Sequence, residues 1–233
     1  MPIFHPKLIK TGDGSHSFYI EELKEHYHSI HGAIQESKHV FIEAGFNYAC
    51  ELIAAFGKKN ISVLEIGLGT GLNTFLTIIE NLRLHHCVSY AAVEAFPLSP
   101  EMLAGLNYAS LLSADMDSSG FQNIFNTIHL SPWNRKIVLN EMFNLTKIND
   151  TLQRVQFQET FDLVYFDAFG PVVQPEMWTE EMFFKIANAM NNKGVLVTYC
   201  AKGNVKRILK QVGFTVEALQ GPPGKREMIR AIK

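Results

Sequence analysis

The chain has 233 residues, 47% of them hydrophobic, and a formal net charge of −2 at pH 7. This length and composition favour one large domain with a hydrophobic core, and no apolar run approaches the roughly 20 residues that span a membrane. The three cysteines are scattered without metal-ligand spacing, which argues against a metal centre and favours a reducing cytoplasm.

The first 60 residues differ in character from the rest. Residues 1–6 lack a basic region followed by an apolar core, so we expect no signal peptide and a cytoplasmic protein. Histidines cluster at His26, His28 and His31, and we interpret them as structural rather than as a metal site. Residues 12–15 indicate a turn, and no regular alternation of strands and helices follows it, so we interpret residues 1–60 as a lid or substrate-side extension with a helix over 47–56.

From residue 61 onwards, predicted strands alternate with predicted helices. The hydrophobic pattern predicts strands at 61–66, 88–93, 135–143, 161–166, 194–199, 214–219 and 227–232, and helices at 70–82, 99–112, 176–190 and 205–212. This alternation indicates a mostly parallel sheet with helices on both faces. Residues 61–233 are therefore predicted to form an α/β, Rossmann-like domain with a seven-stranded sheet and an antiparallel C-terminal hairpin.

A glycine-rich turn follows the first of these strands. Gly67, Gly69 and Gly71 alternate after Glu65, and a predicted helix comes next. Such a turn lets the backbone come close to a ligand. Dinucleotide binding would need a glycine where Leu72 stands, and Glu65 would repel a pyrophosphate but not the cationic S-adenosylmethionine. The pattern favours a methyl-donor site, with dinucleotide binding and a purely structural turn as alternatives.

Acidic residues follow the next two strands, at the edge of the sheet where ligands of open parallel sheets bind. Glu94 comes 23 residues after Gly71, where an acid accepts hydrogen bonds from ribose hydroxyls. Glu141 lies near the end of the third predicted strand, where an acid could accept from an adenine amino group. We predict that both bind the donor; for Glu94 the alternative is a solvated loop acid.

Asp167 closes the fourth predicted strand, with Phe169 as an aromatic wall and a Gly-Pro turn at 170–171. Methyl transfer to an amine needs a free lone pair, but alkylammonium groups titrate near about 10 and are protonated at neutral pH. A carboxylate could bind the ammonium, orient it and help to remove its proton. We predict catalytic roles for Asp167 and Phe169; a purely structural cap of the turn is the alternative for Asp167.

Positive charge is concentrated near the C-terminus. Residues 181–233 hold ten Lys or Arg and three Glu, a balance of +7, so the first 180 residues carry −9. Lys206, Arg207 and Lys210 lie in one predicted segment, and Lys225 and Arg226 in another. A basic end on an acidic protein favours a polyanion that these five residues bind, and a solvated helix face is the alternative.

Several of these motifs together resemble a known family. Residues 166–171 and 174–183 read Phe-Asp-Ala-Phe-Gly-Pro and Gln-Pro-Glu-Met-Trp-Thr-Glu-Glu-Met-Phe. They are similar to the Asp-Gly-Phe-Ala-Pro and Asn-Pro-Asp-Met-Trp-Thr of the methyltransferase half of the MnmC family, tRNA enzymes that finish 5-methylaminomethyl-2-thiouridine at the wobble position. Further similar stretches are the glycine loop at 67–73, Val-Glu-Ala-Phe-Pro-Leu at 93–98, and segments at 36–41, 213–216 and 225–228.

The resemblance implies a class I methyltransferase that uses S-adenosylmethionine to methylate the aminomethyl group of 5-aminomethyl-2-thiouridine in tRNA. It puts the acceptor amine near Asp167 and Phe169, and the donor at Glu65, Gly67, Gly69, Gly71, Asn73, Glu94 and Glu141. Two small residues, Ala168 and Gly170, depart from the family pattern.

Bifunctional members of the family continue into a flavin-dependent half, whereas this sequence stops at Lys233. We therefore expect a stand-alone methyltransferase without an FAD domain, a metal or a membrane. Two alternatives stay open: an N-methyltransferase for small-molecule amines, and a non-catalytic module that binds adenosyl compounds.

Overall fold

The computed structural model describes residues 4–113 and 118–233, so the first three residues of the predicted N-terminal extension lie outside the described residues. A small antiparallel sheet consists of β1 (Lys7–Lys10), β2 (His16–Ile20) and β3 (Glu25–His26). A second sheet consists of β4 (Asn60–Ile66), β5 (Cys87–Val93), β6 (Arg135–Asn140), β7 (Phe143–Ile148), β8 (Phe161–Phe166), β9 (Met190–Thr198), β10 (Thr215–Gln220) and β11 (Glu227–Ile232).

The strand order of the large sheet is β10-β11-β9-β8-β4-β5-β7-β6. The five strands from β9 to β7 in this order are parallel, whereas β11 runs antiparallel to both β9 and β10. The predicted Rossmann-like fold, a mostly parallel sheet with an antiparallel C-terminal hairpin, is therefore confirmed.

The described sheet has one strand more than the predicted seven, because residues 135–148 form a hairpin. β6 and β7 pair antiparallel, and the Asn140 Oδ1 atom accepts the Met142 N–H at 2.9 Å across the turn. An asparagine that bonds the backbone two residues further on favours a turn. The prediction of a single parallel strand over 135–143 is therefore wrong: β7 is the parallel strand and β6 is an antiparallel edge strand.

The helices are α1 (Ala33–Ser37), α2 (Tyr48–Ala54), α3 (Leu72–Leu84), α4 (Pro100–Leu103), α5 (Tyr108–Leu112), α6 (Ser118–Leu130), α7 (Glu180–Ala189) and α8 (Gly203–Gln211). The predicted helices at 70–82 and 205–212 are confirmed as α3 and α8, and 99–112 divides into α4 and α5. The predicted helix at 176–190 divides into a 3-10 helix, Pro175–Trp178, and α7, because extended Thr179 accepts the Met182 N–H as the N-cap of α7.

The N-terminal segment contains a longer helix than predicted. A π-helical stretch, Lys38–Asn47, connects α1 and α2 without a break, since Ser37 and Asn47 both have right-handed helical dihedral angles. Gly45 faces the large sheet, where an added Cβ would lie 2.9 Å from Val197 Cγ2. The helix therefore packs closely on the sheet only because residue 45 lacks a side chain.

Both faces of the large sheet are buried, which explains the near-continuous apolar strands. Val63 and Leu163 point into a core with the π-helical stretch, α3 and α6, and their neighbours Leu64 and Val164 point into a core with α7 and α8. The N-terminal segment belongs to the first core, and the division of the chain at residue 60 stays a prediction. Among the described residues, no helix is long and apolar enough to cross a membrane.

Candidate active site

The glycine loop between β4 and α3 adopts backbone conformations that favour glycine. Gly67, Gly69 and Gly71 have φ angles of 91°, 49° and 71°, in the left-handed region that side chains disfavour. A Cβ at Gly67 would lie 2.6 Å from the Asp167 carbonyl oxygen, and one at Gly71 would lie 2.8 Å from the His129 ring. The loop is thus packed against the end of β8 on one side and α6 on the other.

A cleft of about 860 Å³ opens at the carboxyl ends of the parallel strands. The glycine loop, Glu94 after β5 and Asp167 after β8 contribute to its wall. This is the edge where the sequence analysis placed the donor and the acceptor, so the structure brings Gly67, Gly69, Glu94, Asp167 and Phe169 together around one space.

Glu94 is tied to the glycine loop by its own carboxylate. Its Oε2 atom accepts the Gly69 N–H at 2.9 Å, and its Oε1 atom accepts the Phe96 N–H at 2.8 Å. Burial raises its pKa above the ordinary value, and the backbone donors oppose that shift. A carboxylate has about four acceptor positions, so Glu94 retains capacity for a ligand's hydroxyl groups.

Glu65 lies behind the glycine loop and is not among the residues that line the cleft. Its carboxyl is fully buried and accepts hydrogen bonds from Thr74 Oγ1 and Tyr90 Oη, both at 2.8 Å on Oε2, while Oε1 has no partner among the described residues. Burial raises its pKa to about 8. The geometry makes Glu65 a support of the loop from behind rather than part of the cleft wall.

Glu141 lies near the amino end of β7, on the side of the sheet opposite to the carboxyl ends that form the cleft. It is exposed in the turn that precedes β7, whereas the carboxyl end of β7 is at Ile148, whose carbonyl accepts the Glu94 N–H at 2.9 Å. The predicted donor contact of Glu141 is therefore wrong, because the hairpin reverses the chain between β6 and β7. Asp150, just beyond β7, lines the cleft instead.

Asp167 is half-buried and held by the start of α3. Its Oδ2 atom accepts a hydrogen bond from Asn73 Nδ2 at 2.8 Å. Burial, with a contribution from the negative charge of Glu36, raises its pKa to about 7, while Asn73 and Lys225 act in the opposite direction. Asn73 itself is buried outside the cleft wall, so its contact with the cleft runs through Asp167.

Phe169 forms an aromatic wall beside Asp167. Its carbonyl accepts the Trp178 Nε1–H at 2.8 Å and its N–H donates to Gln174 Oε1 at 3.0 Å, so the turn at residues 170–171 is fixed from both sides. The ring meets Tyr27 edge to face, with centroids 5.2 Å apart.

The N-terminal segment supplies site residues to which the sequence analysis gave no site role. Tyr27 covers Gly69, where an added Cβ would lie 3.2 Å from the Tyr27 ring. His28 Nε2 bonds Thr70 Oγ1 at 2.7 Å, and Glu36 bonds Lys225 Nζ at 2.6 Å. The His28 result agrees with a structural interpretation of that histidine cluster, and in the described part of the chain no group of three or more potential ligands could hold a metal ion.

The predicted basic residues are divided between the cleft and the outer surface. Lys225 lines the cleft, whereas Arg207 and Lys210 on α8 are exposed outside it. Lys206 forms an ion pair with Glu227 at the start of β11, which joins α8 to the segment that carries Lys225. Arg226, adjacent to Lys225, is exposed.

Comparison with known proteins identifies relatives over most of this chain. The model of a family described as S-adenosyl-L-methionine-dependent methyltransferase matches residues 126–233. Two curated proteins, both named tRNA 5-methylaminomethyl-2-thiouridine biosynthesis bifunctional protein MnmC, are 31% identical over 215 residues (Pseudomonas fluorescens) and 28% identical over 227 residues (Delftia acidovorans). The matches cover 88% and 92% of this chain but 31% and 33% of the relatives, so the chain spans about a third of their length.

Solved structures with the same fold include MNMC2 from Aquifex aeolicus, with a TM-score of 0.76 and 23% identity over 97% of this chain and 69% of that chain. Spermidine synthase from Thermotoga maritima has a TM-score of 0.58 and 15% identity, covering 100% of this chain and 70% of that chain.

The burial of Glu65 predicts a pH-dependent stability. Its folded-state pKa of about 8 lies above the ordinary 4.5, so the folded state binds the proton more tightly and loses stability as pH rises between these values. Glu65→Gln removes this titration. In thermal unfolding from pH 5 to pH 9, the melting temperature of Glu65→Gln should rise relative to that of the wild type as pH increases. For Glu51→Gln, at an exposed helix position, the plot of melting temperature against pH should run parallel to that of the wild type. Parallel curves for Glu65→Gln would contradict the buried titration.

Proposed function

We propose that this chain, which belongs to the MnmC-like S-adenosyl-L-methionine-dependent methyltransferases, methylates the aminomethyl nitrogen of 5-aminomethyl-2-thiouridine at the wobble position of tRNA. The acceptor is inferred from the relatives, which are named for the biosynthesis of 5-methylaminomethyl-2-thiouridine in tRNA and of which this chain spans about a third. The observation that carries the proposal is the position of the Asp167 carboxyl group on the cleft wall, directly beside the glycine loop at the carboxyl end of β8.

The residues around the glycine loop fit the donor. Gly67 and Gly69 line the cleft and bring backbone to its wall, Gly71 packs against α6 outside that wall, and Glu94 offers acceptor oxygens on the cleft side. We propose that these residues hold S-adenosylmethionine, with Asp150 in the place first given to Glu141 and with Glu65 and Asn73 as supports behind the wall. The donor supplies a methyl carbon bound to a sulfonium.

Asp167 suits an acceptor that arrives as an ammonium ion. Its carboxylate binds the positive charge, takes one proton from the nitrogen and leaves the lone pair free to attack the methyl carbon. A base with a pKa near the working pH is effective in such a transfer, and burial gives Asp167 a pKa of about 7. Phe169 and Tyr27 present aromatic rings beside it, which favour a cation and exclude water.

Transfer from labelled donor to defined acceptors tests this function. Wild-type protein should label tRNA that carries the aminomethyl uridine but not the same tRNA without it, and nucleoside analysis should locate the label in the wobble nucleoside. Labelling of free amines without tRNA would favour a small-molecule N-methyltransferase. Donor binding without transfer to any acceptor would favour a non-catalytic module.

The glycine loop predicts how a small substitution affects donor affinity. A methyl group at Gly69 would press on Tyr27 in the cleft, in addition to the strain of its positive φ. Gly69→Ala should therefore weaken donor binding about tenfold or more in calorimetry, the equivalent of roughly 1.4 kcal/mol. Gly213→Ala is the matched control, because Gly213 also has a positive φ but no atom within 4 Å of the added Cβ; it should bind the donor normally. Equal affinities would place the donor elsewhere.

Asp167→Asn should reduce the rate of methyl transfer by about 100- to 10,000-fold. The amide keeps the shape but cannot hold an ammonium ion or take its proton, so part of the rate should return at high pH, where more free amine is present. The wild-type rate should fall as pH drops through about 7, because Asp167 becomes protonated. Single-turnover assays over a pH series measure both effects, with Glu176→Gln, an exposed acid lining the same cleft, as a control of near wild-type rate. A normal rate for Asp167→Asn at pH 7 would remove Asp167 from the mechanism.

The exposed basic residues of α8 predict a salt-dependent grip on tRNA. Replacing both Arg207 and Lys210 by Ala should weaken tRNA binding and reduce the slope of log affinity against log salt by about 1–2, because fewer phosphates are neutralised. The same double change at Arg135 and Lys136, exposed on the opposite edge of the sheet, is the control for loss of charge alone. Donor affinity should stay constant in both variants, and equal tRNA binding by the two would make α8 an ordinary solvated surface.

A further inference from the structure

An ion pair between the two ends of the chain lies in the cleft wall. Lys225 Nζ and Glu36 Oε1 are 2.6 Å apart, although the residues are 189 positions apart in sequence. The Glu36 side chain is 7% exposed and its other oxygen accepts the Ser29 N–H at 2.7 Å, while Lys225 is 32% exposed. Both residues line the cleft that contains Asp167, and the sequence analysis gave Glu36 no role.

A chain of contacts joins this pair to the acceptor side. The ammonium of Lys225 lies 3.8 Å from the centre of the Tyr199 ring, and Tyr199 Oη donates to the carbonyl of Ala168 at 2.8 Å. Ala168 directly follows Asp167. Lys225 is thus held by Glu36 on one side and by the Tyr199 ring on the other, and Tyr199 is itself bonded to the backbone next to Asp167.

From this arrangement we infer that Glu36 and Lys225 are positioning residues for Asp167, an inference that rests on the proposed function. Without Lys225, the unneutralised Glu36 would repel a negative charge on Asp167 and keep it protonated. Without Glu36, the Lys225 ammonium could pair with Asp167 and occupy the position that the substrate ammonium needs. The ion pair keeps Asp167 both ionisable and accessible to the substrate.

The other groups around Asp167 are a buried carboxyl, a phenol and an amide, and a buried histidine lies close to the pair. Glu65 lies behind it, Tyr199 lies beside it with a phenol whose pKa burial raises well above the ordinary value, and Asn73 donates to Oδ2. His28, close to the pair, is buried and its pKa is lowered to about 4, so it is neutral over the working range. The expected shifts therefore come from Glu36 and Lys225 themselves.

Titration of Asp167 in the full chain without donor or RNA tests the inference directly. The protein is labelled with 13C at aspartate carboxyl groups, and the Asp167 signal is assigned by its loss in Asp167→Asn. Glu36→Gln should lower the Asp167 midpoint by on the order of one pH unit, and Lys225→Met should raise it by a smaller amount. The double variant should lie between the two single variants, and Lys225→Arg, which keeps the charge, should stay at the wild-type midpoint.

The opposite signs separate this role from a purely structural one. A pair that only fastened the two ends of the chain would lower stability in both single variants without moving the midpoint in opposite directions. If Lys225→Met fails to fold, Lys225→Gln gives the same comparison. Shifts of the same sign, or no shifts, overturn the inference even if tRNA is methylated; opposite shifts in a protein that methylates no tRNA would overturn the proposed function alone.

Discussion

The candidate site depends on the close approach of Gly67 to the backbone of Asp167. A Cβ at residue 67 would lie 2.6 Å from the Asp167 carbonyl oxygen, so this contact needs glycine. Two backbone hydrogen bonds fix it: the Asp167 N–H donates to the Ile66 carbonyl at 3.0 Å, and the Gly67 N–H donates to the Val93 carbonyl at 2.9 Å. The ends of β4, β5 and β8 are thereby joined, and the proposed donor and acceptor sides of the cleft share one rigid edge.

Three carboxyl groups lie near these strand ends in buried surroundings that disfavour their ionised form. Burying a carboxylate is costly unless donors compensate, and each acid here has its own: Thr74 and Tyr90 for Glu65, backbone N–H groups for Glu94, and Asn73 for Asp167. The compensation is incomplete, so burial still raises the pKa of all three. Such perturbed groups cluster at functional sites, and at Asp167 the result suits proton transfer at neutral pH.

The sequence was sufficient for those parts of the site that depend on local pattern. The glycine loop, Glu94 and Asp167 each follow a short apolar strand, and parallel strands bring their carboxyl ends to one edge. The prediction for Glu141 was wrong because the segment 135–143 has the hydrophobic pattern of a single strand. Only the turn at Asn140 shows that the chain reverses there and forms a hairpin. The site positions of Tyr27 and Glu36 could not be predicted from the sequence, for another reason. They depend on contacts with residues far along the chain, such as Gly69 and Lys225, and local periodicity does not encode such contacts.

These distant contacts depend in turn on how the N-terminal helix packs. Gly45 lets the π-helical stretch approach Val197 and Tyr165 in the sheet, and the Phe41 ring lies 5.2 Å from that of Tyr165. This packing fixes α1, and with it Glu36, beside the loop that carries Lys225. The proposed donor side of the cleft is built largely from β4, β5 and their loops, with Tyr27 over Gly69, whereas Glu36 and Lys225 bring the N-terminal segment and the C-terminal hairpin to the wall near Asp167. Because the proposed amine acceptor would have to fit against that wall, we expect these two segments, rather than the shared sheet, to determine which acceptor the protein selects.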